Sequence, residues 1–175
     1  MTNKSFGPGI LLLALLFGIM VAGCNNGVSE GPGSGADPAL NGTWVSGSLE
    51  WRLNNGNSET SIFGVAGYNG PTTKGTYSTN GNNFYGTTTH YHGNYIAAIV
   101  PGSNPGSGWV TAEQSYSIFE NYYRSLGWSE GQINTQMNSL REKWMTTYSI
   151  TGNSLTLTQT RTSDGYISET TYTKR

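Results

Sequence analysis

Few side chains in this 175-residue sequence could do chemistry, and they lie far apart. There is one thiol, Cys24, and there are two imidazoles, His90 and His92, with Tyr91 between them. Residues i and i+2 of a strand face the same side. The two rings could therefore give two ligands to Zn²⁺, which would need a third from Asp or Glu. No His-rich tract accompanies the pair, and two polar surface side chains are the competing reading. The carboxylates are scattered along the chain in polar contexts. Glu120 and Arg124, four residues apart, read as a pair on a helix surface. There is no His-Glu-x-x-His, no P-loop and no Gly-x-Gly-x-x-Gly. Neither an enzyme nor a bound cofactor is expected. A single thiol also excludes an intramolecular disulfide.

The setting of Cys24 gives it a different use. Lys4 precedes an apolar run from Ile10 to Ala22, about 13 residues, which is short of the ~20 that span a bilayer as a helix. The run ends in Val21-Ala22-Gly23-Cys24, small residues where a secretory signal is cut. This arrangement resembles the bacterial lipobox. The resemblance implies cleavage before Cys24 and a diacylglycerol on its thiol, with residues 1–23 a signal peptide. Asn25, rather than Asp, follows the cysteine, which by enteric sorting rules implies the outer membrane. The expected partner is then the membrane of a bacterial cell envelope, reached through acyl chains on Cys24.

The remaining composition is polar but barely charged. Gly, Ser, Thr and Asn number 25, 19, 22 and 17, and charged residues are only 11% of the chain. The formal net charge of −1 becomes −2 once Lys4 is removed, with eight basic side chains against ten acidic ones. That balance argues against nucleic acid as a partner, because phosphate binding needs a basic excess. Aromatic residues bury large areas apiece, and Thr and Tyr favour strands. A folded, mainly β domain with an aromatic core is expected.

Residues 24–37 read as the lipidated Cys and a Gly-rich flexible tether, spanning roughly 20 Å as a coil, and the domain as 38–175. Alternation of apolar and polar residues predicts a strand from Thr43 to Leu53, with Trp44 out of phase, either capping the end of the strand or sitting beside a bulge at Gly47. Further strands are expected at Glu59–Ala66, Thr72–Thr79, Phe84–Tyr91 and Tyr95–Val100, with a loop from Pro101 to Gly108. The period then changes. Thr111 to Gln114 and Ser129 to Gln132 are capping boxes, and the stripes after them predict a helical hairpin near 111–144, with Trp128 and Ile133 as a hydrophobic staple. Strands return at Met145–Thr151, Ser154–Arg161 and Tyr166–Thr173, joined by Gly-Asn and Asp-Gly turns. Seven or eight antiparallel strands with hairpin links imply a barrel or a sandwich.

Asp37 to Trp44, with its Gly42-Thr43-Trp44, resembles the opening of lipocalin-like domains. Lys74 to Ser78 and Tyr148 to Thr158 are similar to strands of small bacterial lipocalin-like lipoproteins. The resemblance implies a mainly β, antiparallel up-and-down barrel with an inserted helical hairpin. It also implies that Gly42 and Trp44 close one end, with Arg161 as the late Arg packed on the indole. An eight-strand barrel holds side chains or one small ligand. Leu49, Trp51, Phe63, Val65, Phe84, Leu155 and Leu157 are the expected inward residues, and a small hydrophobic or amphipathic molecule the expected ligand. The competing reading is a non-enzymatic envelope interaction protein, such as an adhesin or protease inhibitor, presenting Tyr68, Trp109 and Trp128 to a protein partner.

Overall fold

A computed structural model describes residues 35–65, 67–141 and 144–175. Cys24, the apolar run before it and most of the tether lie outside the described residues. The strands are β1 (Gly42–Ser46), β2 (Leu49–Asn54), β3 (Asn57–Val65), β4 (Tyr68–Asn80), β5 (Asn83–His92), β6 (Trp109–Thr111), β7 (Trp144–Thr151), β8 (Ser154–Arg161) and β9 (Ile167–Lys174). The helices are α1 (Gly93–Ile99), α2 (Ala112–Ser125) and α3 (Glu130–Leu140). Strands β1-β2-β3-β4-β5-β7-β8-β9 pair in that order, all antiparallel, and β9 returns to β1, so the sheet closes into an eight-strand barrel. Short β6 adds to the far end of β5.

The expected strand over Thr43–Leu53 is a hairpin. Gly47 takes φ +56 in the turn, a conformation that favours glycine, and Trp44 pairs directly with Trp51. Trp44 is therefore in phase, on its own strand, and points into the barrel. The expected strand over Tyr95–Val100 is also corrected. Gly93–Ile99 is a helix whose Tyr95, Ile96 and Ile99 are buried at helical spacing. The two capping boxes form as expected: Thr111 and Ser129 each accept from the third helical N–H, and Gln114 and Gln132 reach back.

The domain also starts earlier than Pro38. Gly35 bridges to Thr79, and Thr79 Oγ1 donates to the Gly35 carbonyl at 2.8 Å. Tyr148 Oη donates to Asp37 Oδ2 at 2.7 Å. The last residues of the tether are thus docked against the barrel.

Two apolar cores result. At the end bearing the 54–57, 80–83 and 151–154 turns, Leu40, Trp44, Leu53, Tyr77, Tyr148 and Leu155 pack together. Here Trp44 Nε1 donates to the Leu40 carbonyl at 2.7 Å, so the buried indole is satisfied. At the opposite end, Tyr91 on the inward face of β5 meets Tyr116 and Phe119 of α2. Ile133, Met137 and Leu140 of α3 complete that second core. The insert therefore covers the β4–β5 side of the barrel's other end.

Candidate functional site

Between the two cores lies a belt that neither fills. A cavity of about 40 Å³ sits there, room for roughly three water molecules. One side is apolar, with Leu49, Trp51, Phe84, Leu157 and Tyr172. The Trp51 ring meets Phe84 at 5.2 Å edge-on and Tyr172 at 5.9 Å. The other side is a collar of Ser58, Thr60, Thr73, Thr87, Thr88, Thr146 and Gln159. No Asp, Glu, Lys, Arg or His lines it among the described residues. Burial pushes the Tyr172 hydroxyl up to about 12, so this phenol stays neutral at physiological pH.

Thr146 marks the collar. The residue is 4% exposed, and its Oγ1 has no hydrogen-bond partner among the described residues. A buried hydroxyl in that state costs about 1–3 kcal/mol, which a ligand or water hydroxyl would recover.

The barrel wall is incomplete beside this residue. β5 and β7 pair only at Asn83↔Thr147 and Phe84↔Thr146, and β5 next gains a partner on that side at His90, from β6. Between these points, residues 85–89 have no strand partner on that edge among the described residues. Gly86 and Thr88 line the cavity from inside. Thr87, exposed and of opposite parity, stands with them; its carbonyl oxygen lies at the inward face of Gly75 on β4.

No known protein family, curated protein or solved structure matches this chain. The site is read from its own geometry.

Of the expected inward residues, Leu49, Trp51, Phe84 and Leu157 meet at the cavity. Leu155 is fully buried in the end core instead. Phe63 is 44% exposed, and the inward position opposite Leu49 belongs to Ile62. Val65 is half-buried and lines no part of the cavity. β3 pairs with β2 without interruption, Leu53↔Ser58, Trp51↔Thr60 and Leu49↔Ile62, so the even-numbered residues share the inward face and Phe63 turns outward; a register shift between Phe63 and Val65 then breaks the alternation before Val65. The end-packing assignment changes as well. Lys174, not Arg161, stands over the Trp44 ring, at 5.0 Å. Arg161 lies over Trp144 and Tyr166 and is bonded twice by Asp164.

His90 Nδ1 contacts Thr89 Oγ1 at 2.9 Å, and the His92 ring stands edge-on to Trp109. No cluster of three His, Cys, Asp or Glu forms among the described residues, so the pair has no third ligand there. The expected recognition aromatics are engaged within the chain. Tyr68 packs on Tyr95, Trp109 lies under Lys74 Nζ at 4.9 Å, and Trp128 stacks on Tyr123 at 4.7 Å. A second hollow of about 320 Å³ lies between the Val100–Pro105 loop and Ile118, Asn121, Tyr122 and Ser125 of α2. It is a more open surface depression, and among the described residues no unpartnered buried polar atom lines it.

The collar residues are hard to find in the sequence because Thr and Ser belong as readily to a polar surface. Alternation alone puts Thr60, Thr146 and Gln159 on the inward faces of their strands, and that signal is present.

Proposed function

We propose that this protein is an exported, lipid-anchored β-barrel lipoprotein, akin to the lipocalin-like lipoproteins, that binds a small amphipathic ligand without transforming it. The observation that carries the binding reading is the cavity: an aromatic wall faces an uncharged hydroxyl collar containing an unpartnered, buried Thr146 Oγ1. Ligand sites combine apolar lining with a few placed polar groups in this way. The anchoring reading is supported by the apolar run that ends in Val21-Ala22-Gly23-Cys24. Two acyl chains on the thiol and a third on the new N-terminus exceed what stable membrane attachment requires. Asn25 supports residence in the outer membrane.

The test is mass spectrometry of the protein isolated from its native envelope, with a fluorescence titration of amphipathic probes alongside. The expected result is an acylated N-terminus at Cys24 and a co-purifying small molecule, with saturable probe binding. Cys24→Ala is expected to lose acyl labelling. Unchanged labelling would refute the anchor. Absence of both a carried molecule and saturable binding would refute the binding role.

A further inference from the structure

The cavity is too small for a whole lipid, since drug-sized ligands occupy about 300–1,000 Å³. The unpaired stretch of β5 beside Thr146 is a break in its wall, and exposed apolar side chains flank that break. Phe84 and Thr146 face inward as the last pair of the β5–β7 ladder. One step further along each strand, Tyr85 and Met145 face outward on opposite sides of the seam, 41% and 66% exposed. Met145 pairs with Thr160, and Thr160 with Ile167, which is 62% exposed. Met145 and Ile167 thus stand on either side of Thr160 on the outer wall beside the seam.

The collar inside is uncharged throughout. Burying an ionised group there would leave it without a counter-charge, at heavy cost. Among the described residues, Arg161 is ion-paired with Asp164 at 2.6 and 2.8 Å, and no cation lines the cavity. A hydroxyl, in contrast, can accept from and donate to Thr146 and the Gln159 amide.

Resting on the reading of the barrel as a binding site, we infer that its ligand is an uncharged amphiphile. Its hydroxyl-bearing head enters the collar sideways through the β5–β7 seam, and its apolar part stays outside against Tyr85 and Met145. A head of about three heavy atoms matches the volume at Thr146. The apolar portion covers side chains that otherwise face water.

Three probes sharing one chain test this: 1-decanoylglycerol, decanoate at pH 8 and decyltrimethylammonium, each below its micellar concentration. Calorimetry and intrinsic tryptophan fluorescence of the full chain give affinities. Saturable binding of 1-decanoylglycerol is expected, with the two ions at least about tenfold weaker. Thr146→Val should weaken the neutral probe about fivefold, the share of one net hydrogen bond, and Thr146→Ser should restore it. Met145→Asp should weaken it through the outer strip while leaving the thermal midpoint near wild type. Ions binding as tightly as the neutral probe, or Thr146→Val binding like wild type, would overturn the inference and leave the binding role standing. The inference alone also falls if no probe binds while the native protein carries a molecule. If no probe binds and nothing is carried, both readings fall.

Discussion

Replacing Gly42 by Ala probes how the barrel is closed. Gly42 has φ +137, a region essentially reserved for glycine, and another residue held there costs about 1–3 kcal/mol. An added Cβ would also stand 2.8 Å from Lys174 Cε. Lys174 is flexible and can swing away, but its Nζ then leaves the face of Trp44, where it sits 5.0 Å from the ring centre. That contact contributes about 0.5–1 kcal/mol at a partly exposed site. Lys174 also belongs to the short β1–β9 ladder, Trp44↔Lys174 and Val45↔Thr173, that closes the barrel. The expected loss is therefore about 2–4 kcal/mol, read as a lower urea midpoint at unchanged slope. Tryptophan emission should follow it, since Trp44 is buried at this end. In a Lys174→Ala background the same substitution should cost less, about 1–3 kcal/mol, because only the backbone term remains. A Gly42→Ala protein within about 0.5 kcal/mol of wild type would refute the strained-backbone account. Equal costs in both backgrounds would refute the part assigned to Lys174.

Three further outcomes follow from the same packing. Gly75→Ala should cost more than about 3 kcal/mol and abolish probe binding, because its Cβ would lie 1.9 Å from the Thr87 carbonyl oxygen and force β4 from β5; a wild-type urea midpoint would contradict it. Tyr148→Phe removes the 2.7 Å bond to Asp37, a charge-assisted contact of about 1.5–3 kcal/mol, and should speed hydrogen exchange at the Thr79 amide, which bonds the Gly35 carbonyl; retained protection would show that the N-terminal segment docks without it. The Tyr172 phenol, near 10 in the unfolded chain, is pushed up to about 12 by burial, so the folded state holds this proton more tightly. Its contribution is complete below pH 10 and is lost as pH rises to 12, up to about 3 kcal/mol. Tyr172→Phe should therefore flatten the fall of stability in that window, though not abolish it, because Tyr123 and Tyr148 are also raised. An unchanged alkaline slope would contradict the assignment.

What the sequence reveals, and what it hides, has a physical pattern. Local chemistry is legible: both capping boxes, the Gly152 turn and the helical stripes of α2 and α3 depend on neighbours within a few residues. The Gly47 turn is hidden because Leu49, Trp51 and Leu53 continue an alternation begun at Val45. The two-residue turn reverses parity, and only the pairing of Trp44 with Trp51 exposes it. Helix α1 is hidden because seven residues are too few to separate a period of 3.6 from a short apolar run. In Ile62-Phe63-Gly64-Val65 both parities hold an apolar residue, so the choice of Ile62 over Phe63 as the inward residue is set by the pairing with Leu49 and leaves little trace in composition. The cavity is least legible of all. Its lining comes from seven strands, and the partner that Thr146 lacks is a fact of the assembled barrel.

The position of the seam bears on how an anchored barrel could work. Gly35, the first described residue, bridges to Thr79 on the closed end. Ten residues lie between Cys24 and Gly35 in the sequence. An acyl anchor at Cys24 would hold the closed end toward the bilayer and the helical insert away from it. Both ends are then obstructed, the first by Leu40 and Trp44 and the membrane itself, the other along β4 and β5 by α2 and α3. Access through the wall avoids both. The β5–β7 gap is thus more than a defect in the ladder: β5 gives up its pairing with β7 where the insert departs, and the unpaired stretch runs beside the uncharged polar collar. Replacing the collar hydroxyls by apolar side chains would remove the groups that a hydroxyl-bearing guest would need there.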